Sequence, residues 1–157
     1  MNHTIRTARF TDADNLAALL REMGWFEIIN SKNISEGIQH IENHLAECLA
    51  DESHSVYVSV TESNLIGYIS VHWLAYLNLP GPEGFISELF VLPSAEGQGV
   101  GTALLKTIEK EALERGAYRL SLNNDKNVKS HQSQYLQKRG WEENKLTANL
   151  TFILPID

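Results

Sequence analysis

Three glycines at alternate positions, Gly97, Gly99 and Gly101, lie between an apolar, strand-like run and the start of a predicted helix. The first N–H groups of a helix lack intrahelical partners and carry a partial positive charge, so they can bind an anion. Glycine has no side chain and readily adopts positive φ angles, which lets a bulky phosphate approach the backbone. The turn therefore predicts a phosphate or pyrophosphate site that needs no basic side chain.

Two common nucleotide-binding motifs do not fit this turn. A P-loop ends in Gly-Lys-Ser/Thr, whereas Gly101 is followed directly by Thr102. A dinucleotide-binding turn has the pattern G-x-G-x-x-G, but Leu104 stands where the third glycine counted from Gly99 belongs. The alternative to an anion site is a plain loop whose glycines only permit tight packing.

The bulk composition narrows the class of protein. A length of 157 residues suits one domain, spanning residues 1–157, and a hydrophobic fraction of 43% is ordinary for a globular protein. The net charge of -7 argues against binding to nucleic acid or anionic membranes. No apolar run approaches membrane-spanning length, and the single Cys48 excludes an internal disulfide framework. We expect a cytoplasmic protein without a metal site.

The elements that must position the turn follow from hydrophobic periodicity. Leu16, Leu19, Leu20 and Met23 have helical spacing, and Gly24 fits the end of that helix. Further helices are predicted over residues 35–49, 98–115 and 130–139. Strands are predicted over residues 3–10, 55–60, 65–73, 85–92, 119–123, 141–147 and 148–154. The fold class is α/β, a single domain with a mixed central sheet of about seven strands flanked by four helices.

The residues around the turn resemble the acetyl-CoA motif of the GNAT superfamily of N-acetyltransferases. That motif is a strand, V-x-P, R/Q-x-x-G-x-G/A and a leucine-bearing helix, and the matching run here extends from Glu88 to Leu105. Ile5-Arg6-Thr7-Ala8 is similar to the family's first strand, and Tyr135-Leu136-Gln137-Lys138-Arg139-Gly140-Trp141 is similar to its F-Y-x-K-x-G-F segment. The resemblance covers essentially the whole chain.

The resemblance implies acetyl-CoA as co-substrate. Backbone groups of Leu89, Phe90 and Val91 would hold the acetyl carbonyl and the pantetheine. Asn127 is a candidate cofactor contact, although it or Ser130 could simply cap the following helix. The amides that would bind the pyrophosphate are those of Gly97, Gln98, Gly99, Val100, Gly101 and Thr102.

The reaction that the resemblance implies needs a base, because only a neutral amine attacks a thioester. Glu88 lies on the fourth strand beside the implied acetyl position and is the first candidate. The alternative is a strand-end carboxylate that faces solvent or a partner. His72 on the third strand is a second candidate, although a single strand histidine is more often structural.

Two positions depart from the family pattern. Glu96 stands where the family has arginine or glutamine, and we expect its side chain to turn away from a pyrophosphate. The tyrosine that protonates the departing thiolate in the family falls on Leu136, with Tyr135 one residue earlier. Either a small helix shift brings Tyr135 into that role, or Tyr135 packs against the sheet and no tyrosine acts.

The acceptor-binding region of the family corresponds here to aromatic residues. Trp25, Phe26 and Trp73 are predicted to contact the substrate, and Glu27 could meet a cation, although Trp73 could equally pack on the sheet. His40, His44 and Glu47 share a helix face, which we place opposite the apolar stripe. A solvated surface is therefore expected there rather than a zinc site.

These observations predict an acetyl-CoA-dependent N-acetyltransferase that acetylates the amine of a small molecule directly, in a ternary complex. Cys48 lies far along the chain from the motif and does not suggest a covalent enzyme intermediate. The alternatives are a CoA-binding module with weak or no catalysis, and acetylation of a peptide or protein amine. A homodimer is expected by analogy with the family.

Overall fold

The described structure, a computed structural model, covers residues 2–62, 64–124, 134–147 and 149–154. Two compact units, Met1–Asn123 and Asn124–Asp157, are described separately. In the first unit the elements are β1 (Thr4–Thr7), α1 (Ala13–Met23), α2 (Glu27–Asn30), α3 (Ile34–Cys48), β2 (His54–Val60), β3 (Leu65–Leu74), β4 (Glu83–Val91), α4 (Val100–Glu114) and β5 (Arg119–Leu122).

The strands form a five-stranded sheet in the order β1-β2-β3-β4-β5. The first four strands pair antiparallel, whereas β4 and β5 pair parallel, with α4 between them in the chain. A mixed sheet and the α/β class are confirmed. No helix in the described residues is long and apolar enough to cross a membrane.

The two faces of the sheet pack against different helices. Because side chains alternate along a strand, Ser55, Ile69 and Trp73 lie on the face that packs against α4. Val56 and Tyr68 point to the other face, which α1 and α3 cover. The sheet therefore separates the α4 layer from the α1 and α3 layer.

A β-bulge interrupts the pairing of β3 with β4. Ser70 lies opposite Glu88, but Val71 lies opposite Ile86, so Ser87 is an extra residue on β4. The pairing of β4 with β5 also ends at Ile86, which lies opposite Leu122. Beyond this point the outer edge of β4, from Ser87 to Val91, has no partner strand among the described residues.

The helix boundaries differ from the sequence predictions in three places. The loop predicted after Gly24 contains the short helix α2. The second predicted helix, α3, begins at Ile34 and is capped by Asn33, because the Asn33 side chain accepts from the Glu36 N–H while the Glu36 carboxylate accepts from the Asn33 N–H. The third predicted helix, α4, begins at Val100 after Gly99, which has a φ of 84°.

The first helix is anchored to β1 by an ion pair that the sequence analysis did not identify. Both oxygens of Asp12 accept hydrogen bonds from the Arg6 guanidinium at 2.7 Å, and Oδ2 also accepts from the Arg9 N–H at 2.7 Å. These bonds, first that from Arg6, lower the pKa of Asp12. The carboxylate thus fixes the entry of the chain into α1.

The two last predicted strands are wrong for the described residues, since 141–147 and 149–154 contain no strand. Glu142, Glu143, Asn144 and Lys145 have low strand propensity, and the Leu146 N–H donates to Asn144 Oδ1 in a local turn. Of the helix predicted over residues 130–139, the described part is a short 3₁₀ helix, Gln137–Arg139.

Candidate active site

The glycine turn connects β4 to α4 with two left-handed residues, Gly97 at φ 74° and Gly99 at φ 84°. The Gln98 N–H donates to the Ala95 carbonyl at 3.4 Å, and the Ala103 N–H donates to the Gly99 carbonyl at 2.9 Å, which begins the helix ladder. A Cβ atom added to Gly97 or Gly99 would meet no atom within 4 Å. These two glycines are thus required by the backbone conformation, and the space beside them is open.

The six residues predicted to bind the pyrophosphate lie together at this helix end. Gln98 uses its side chain differently, because Nε2 donates to the Ser94 carbonyl at 2.9 Å and thereby braces the loop. The first-turn N–H groups of α4 point out of its N-terminal end, where the helix dipole favours an anion. Glu96 is exposed at the head of the loop, and its outward orientation stays a prediction.

A cavity of about 500 Å³ lies on the α1 and α3 face of the sheet. Its wall combines α1, α3, the segment around α2 and one face of β2, β3 and β4. It is largely apolar, with two carboxylates, Glu27 and Glu88. The described lining residues are Leu16, Leu20, Trp25, Phe26, Glu27, Ile28, Ile29, His40, Ile41, His44, Leu45, Cys48, Val56, Tyr68, Ser70 and Glu88.

Glu88 lies in this cavity, immediately after the bulge and close to the hydroxyl group of Tyr68. The cavity is open, so the side chain stays accessible to solvent although protein atoms surround the carboxylate. Burial raises the pKa of Glu88, while the Tyr68 hydroxyl group and the nearby His44 act in the opposite direction. A carboxylate shifted this way is a better base than an ordinary glutamate.

Tyr68 is a site residue that the sequence analysis missed. It is only 4% exposed, and burial followed by the proximity of Glu88 raises the pKa of its hydroxyl group. The hydroxyl group therefore stays protonated at neutral pH. The residue lies one diagonal from Glu88, since Tyr68 pairs with Phe90 and Ser70 pairs with Glu88.

His40 and His44 of α3 line the cavity, which corrects the expectation that they lie opposite the apolar stripe. The expected solvated surface is present at His44 and Glu47, whose side chains are exposed. Residues 40, 41, 44, 45 and 48 all contribute to the wall, so His40 and His44 adjoin the stripe. Their rings lie 4.5 Å apart, and burial, followed by the charges of His44 and Lys32, lowers the pKa of His40. The described residues contain no group of three or more side chains placed to hold a metal ion.

Cys48 also lies in the cavity wall, although it is 40 positions away from Glu88 in the sequence. Burial, and then the charges of Glu88 and Glu47, raise the pKa of its thiol. A protonated thiol is a poor nucleophile. The protonated state of Cys48, and not its distance along the chain, therefore disfavours a covalent enzyme intermediate.

His72, the second base candidate, is not among the described residues of the cavity wall. Its Nε2 shares a hydrogen bond of 3.0 Å with Ser87 Oγ at the bulge, and its ring lies 4.2 Å from that of His54. Burial, and then His54, lower the pKa of His72. The structure places it in contacts that support the bulge beside Glu88.

The predicted substrate contacts divide between the two faces of the sheet. Trp25 and Phe26 line the cavity, and their rings lie 6.3 and 5.0 Å from that of Phe90. Trp73 is instead buried on the α4 face, where its indole N–H donates to Ser55 Oγ at 2.8 Å and the Arg115 guanidinium covers its ring. Trp73 therefore packs on the sheet, which was the alternative to a substrate contact, and we do not assign it to the substrate site.

The remaining predicted site residues lie in both units of the chain or outside the described residues. Leu89, Phe90 and Val91 are half-buried on the part of β4 whose outer edge has no described partner strand. Asn127 lies outside the described residues. Tyr135 belongs to the second unit, where the Arg139 guanidinium lies 5.0 Å from its ring centre, and its catalytic role stays a prediction.

Comparison with known proteins identifies relatives over most of the chain. Residues 20–141 match the profile of the acetyltransferase (GNAT) family. The chain is 28% identical over 123 residues to thialysine N-epsilon-acetyltransferase from Mus musculus, covering 75% of this chain and 72% of that protein. It is 30% identical over 113 residues to aminoalkylphosphonate N-acetyltransferase from Salmonella typhimurium, covering 72% and 68%.

A solved structure with a similar fold is that of a transcriptional regulator from Bacillus halodurans C-125. The TM-score is 0.81 at 19% identity, and the match covers 96% of this chain and 100% of that chain. At this identity the likeness concerns the fold alone. The family profile and the two N-acetyltransferase relatives agree with the sequence motif, so the protein is an acetyltransferase enzyme and belongs to the acetyltransferase (GNAT) family.

Proposed function

We propose that the enzyme transfers the acetyl group of acetyl-CoA directly to the amino group of a small molecule, with Glu88 as the proton acceptor. The observation that carries this proposal is the position of Glu88. Its carboxylate lies in the cavity, and the same bulge that precedes it marks the start of the β4 edge left without a described partner strand. A base and a free backbone edge therefore meet at one point of the sheet.

The glycine turn fits the pyrophosphate of CoA. Open space beside Gly97 and Gly99 admits a bulky group, and the helix end supplies N–H donors without a basic side chain. The β4 edge from Ser87 to Val91 offers N–H and C=O groups in strand geometry, which suit the amide groups of pantetheine. A backbone N–H on this edge would also stabilise the negative charge that develops on the thioester oxygen.

The transfer balances without a further reactant. The amine nitrogen forms a bond to the thioester carbon, the carbon–sulfur bond breaks, and sulfur leaves as a thiolate. Glu88 takes the proton that the attacking amine must lose. The thiolate takes up a proton, for which Tyr135 is the predicted donor.

The relatives support an amine of small size. Both curated relatives are named as N-acetyltransferases of small molecules, one for thialysine and one for an aminoalkylphosphonate. A cavity of about 500 Å³ lies within the range of small-molecule sites. The homodimer and the cytoplasmic location stay predictions from the sequence.

The test is release of free CoA thiol from acetyl-CoA in the presence of a panel of amines, amino acids, aminoglycosides and peptides. We expect thiol release that depends on a small amine, with the acetylated amine identified by mass spectrometry. Thiol release at the same rate with and without every amine would refute the proposal. If only peptides support turnover, the acceptor is a polypeptide. If acetyl-CoA stabilises the protein but no amine supports turnover, the protein is a CoA-binding module.

A further inference from the structure

We infer that the preferred acceptor is a linear diamine, whose reacting amine meets Glu88 while its second, charged amine meets Glu27 and the rings of Trp25 and Phe26. This inference rests on the proposed function and names the substrate class of the same cavity.

The charge of the cavity wall favours a cation. Glu27 and Glu88 are its carboxylates, and no lysine or arginine occurs among the described lining residues. His40 is half-buried in the wall, and its lowered pKa leaves its ring neutral at neutral pH. An anionic group on the acceptor would therefore enter a cavity whose described wall holds two carboxylates and no lysine or arginine, with the imidazoles of His40 and His44 as its basic groups.

A series of ring contacts connects the neighbour of Glu88 with the neighbour of Glu27 along the cavity. At one end the ring of Tyr68, whose hydroxyl group is near Glu88, lies 5.8 Å from the ring of Phe90, and these rings form an apolar row. Phe90 in turn lies 5.0 Å from Phe26, and Glu27 follows Phe26 in the chain. An aliphatic chain can lie along this row with one nitrogen at each end. Such a chain buries apolar surface without bringing in a polar group that needs a partner.

The far end of the row suits an ammonium group that stays charged. Trp25 is 63% exposed and presents its ring beside Phe26 at 6.4 Å. Aromatic faces attract cations even at exposed sites. Glu27 is exposed at the start of α2 and adds an opposite charge, so the second amine can keep part of its hydration.

We expect the enzyme to differ from its relative named for aminoalkylphosphonates. A phosphonate is bound best by lysine or arginine, and the described wall holds neither beside its two carboxylates. We expect discrimination against acceptors that carry a carboxylate or phosphonate at the far end.

Three acceptors of equal chain length test the inference: putrescine, butylamine and γ-aminobutyrate. They carry a second cation, no charge and an anion at the far end, respectively. We expect kcat/KM to fall in that order, with putrescine about threefold to tenfold above butylamine, the range of one partly exposed ion pair with a cation–π contact. Thiol release measures all three.

Glu27→Gln is expected to lower the putrescine-to-butylamine ratio by about threefold, and Glu27→Lys to raise the relative rate with γ-aminobutyrate. The matched control is Glu62→Gln, which removes one exposed charge at the β2–β3 turn, outside the described cavity wall. A putrescine preference that survives Glu27→Gln overturns the role of Glu27.

Failure of the inference differs from failure of the proposed function. If butylamine is acetylated as well as putrescine, or γ-aminobutyrate is preferred, the diamine inference is wrong and amine acetylation stands. If no small amine supports thiol release, the proposed function fails and the inference fails with it.

Discussion

Tyr68 and Glu88 lie one diagonal apart on the bulge-bearing pair β3 and β4, and they face the same cavity. The Tyr68 hydroxyl group stabilises the charged form of Glu88, whereas burial in the cavity stabilises the neutral form, and burial is the larger effect. The acidity of Glu88 is thus set by two neighbouring strands, and this gives the proposed base its place in the fold.

Tyr68→Phe is expected to raise the pKa of Glu88 further, because it removes a hydroxyl group that favours the charged carboxylate. The low-pH limb of kcat/KM should move to higher pH, with a smaller change at high pH where Glu88 is ionised in both proteins. The matched control is Tyr57→Phe, which removes a hydroxyl group near Glu111 on the α4 side of the same sheet. If the low-pH limb of kcat/KM lies at the same pH in wild type and Tyr68→Phe, Tyr68 does not affect the pKa of Glu88.

Gly99→Ala tests the turn as the CoA site. With a φ of 84°, Gly99 adopts a conformation that costs an alanine about 1–2 kcal/mol. Gly116→Ala is the control, since its φ is 65° and it lies beyond the opposite end of α4. We expect both variants to lose a similar free energy of unfolding, but only Gly99→Ala to raise the KM for acetyl-CoA. A similar KM for acetyl-CoA in both variants would show that the turn does not bind the cofactor.

Asp12→Asn tests the anchor between β1 and α1. The folded protein holds the pKa of Asp12 below its ordinary value, so its contribution is present above the unfolded pKa and is lost as pH falls through the folded pKa. We expect a loss of about 1–3 kcal/mol in urea unfolding at neutral pH, which shrinks in acid. Asp14→Asn, at an exposed position of α1, should cost less. A pH-independent loss would contradict this account.

Direct transfer predicts that the enzyme is not acetylated during turnover. Because burial and the charges of Glu88 and Glu47 keep the Cys48 thiol protonated, it should not attack acetyl-CoA. Intact-mass spectrometry after incubation with acetyl-CoA, without amine, should show the unmodified mass. An acetyl adduct on Cys48 that is discharged by added amine would establish a two-step reaction instead.

The glycine turn and the helix after it were predictable from the sequence because both depend on local signals. Gly97 and Gly99 have the positive φ angles that the turn predicted, and the strand before it and α4 after it lie where periodicity placed them. Trp25 and Phe26 share the cavity wall with Glu88, and their contact with a substrate stays a prediction.

The bulge at Ser87 and the position of Tyr68 were not predictable, because both depend on the register between strands. One shifted residue changes which side chains share a face, so Tyr68 could not be paired with Glu88 from the sequence. For the same reason the sequence could not decide whether Trp73 contacts the substrate or packs on the sheet. The proximity of Cys48 to Glu88 was not predictable either, because it follows from the packing of α3 on the sheet.

Glu88→Gln should leave the fold intact. A carboxyl with a raised pKa contributes stability that is present below its unfolded pKa and lost as pH rises through the folded pKa. The neutral glutamine avoids that loss, so the variant's melting temperature at neutral pH should equal or exceed that of the wild type. A fall in activity can then be assigned to chemistry.

The pH dependence of kcat/KM in wild type and Glu88→Gln tests the central claim most directly. The wild-type value should rise with pH through the pKa of Glu88, above the ordinary glutamate range, because the ionised form accepts the proton. In Glu88→Gln, kcat/KM should fall by roughly 10²–10³-fold and its rise with pH should disappear. Glu62→Gln should keep the wild-type kcat/KM and its wild-type pH dependence. An unchanged rate and an unchanged limb in Glu88→Gln would show that Glu88 is not the base.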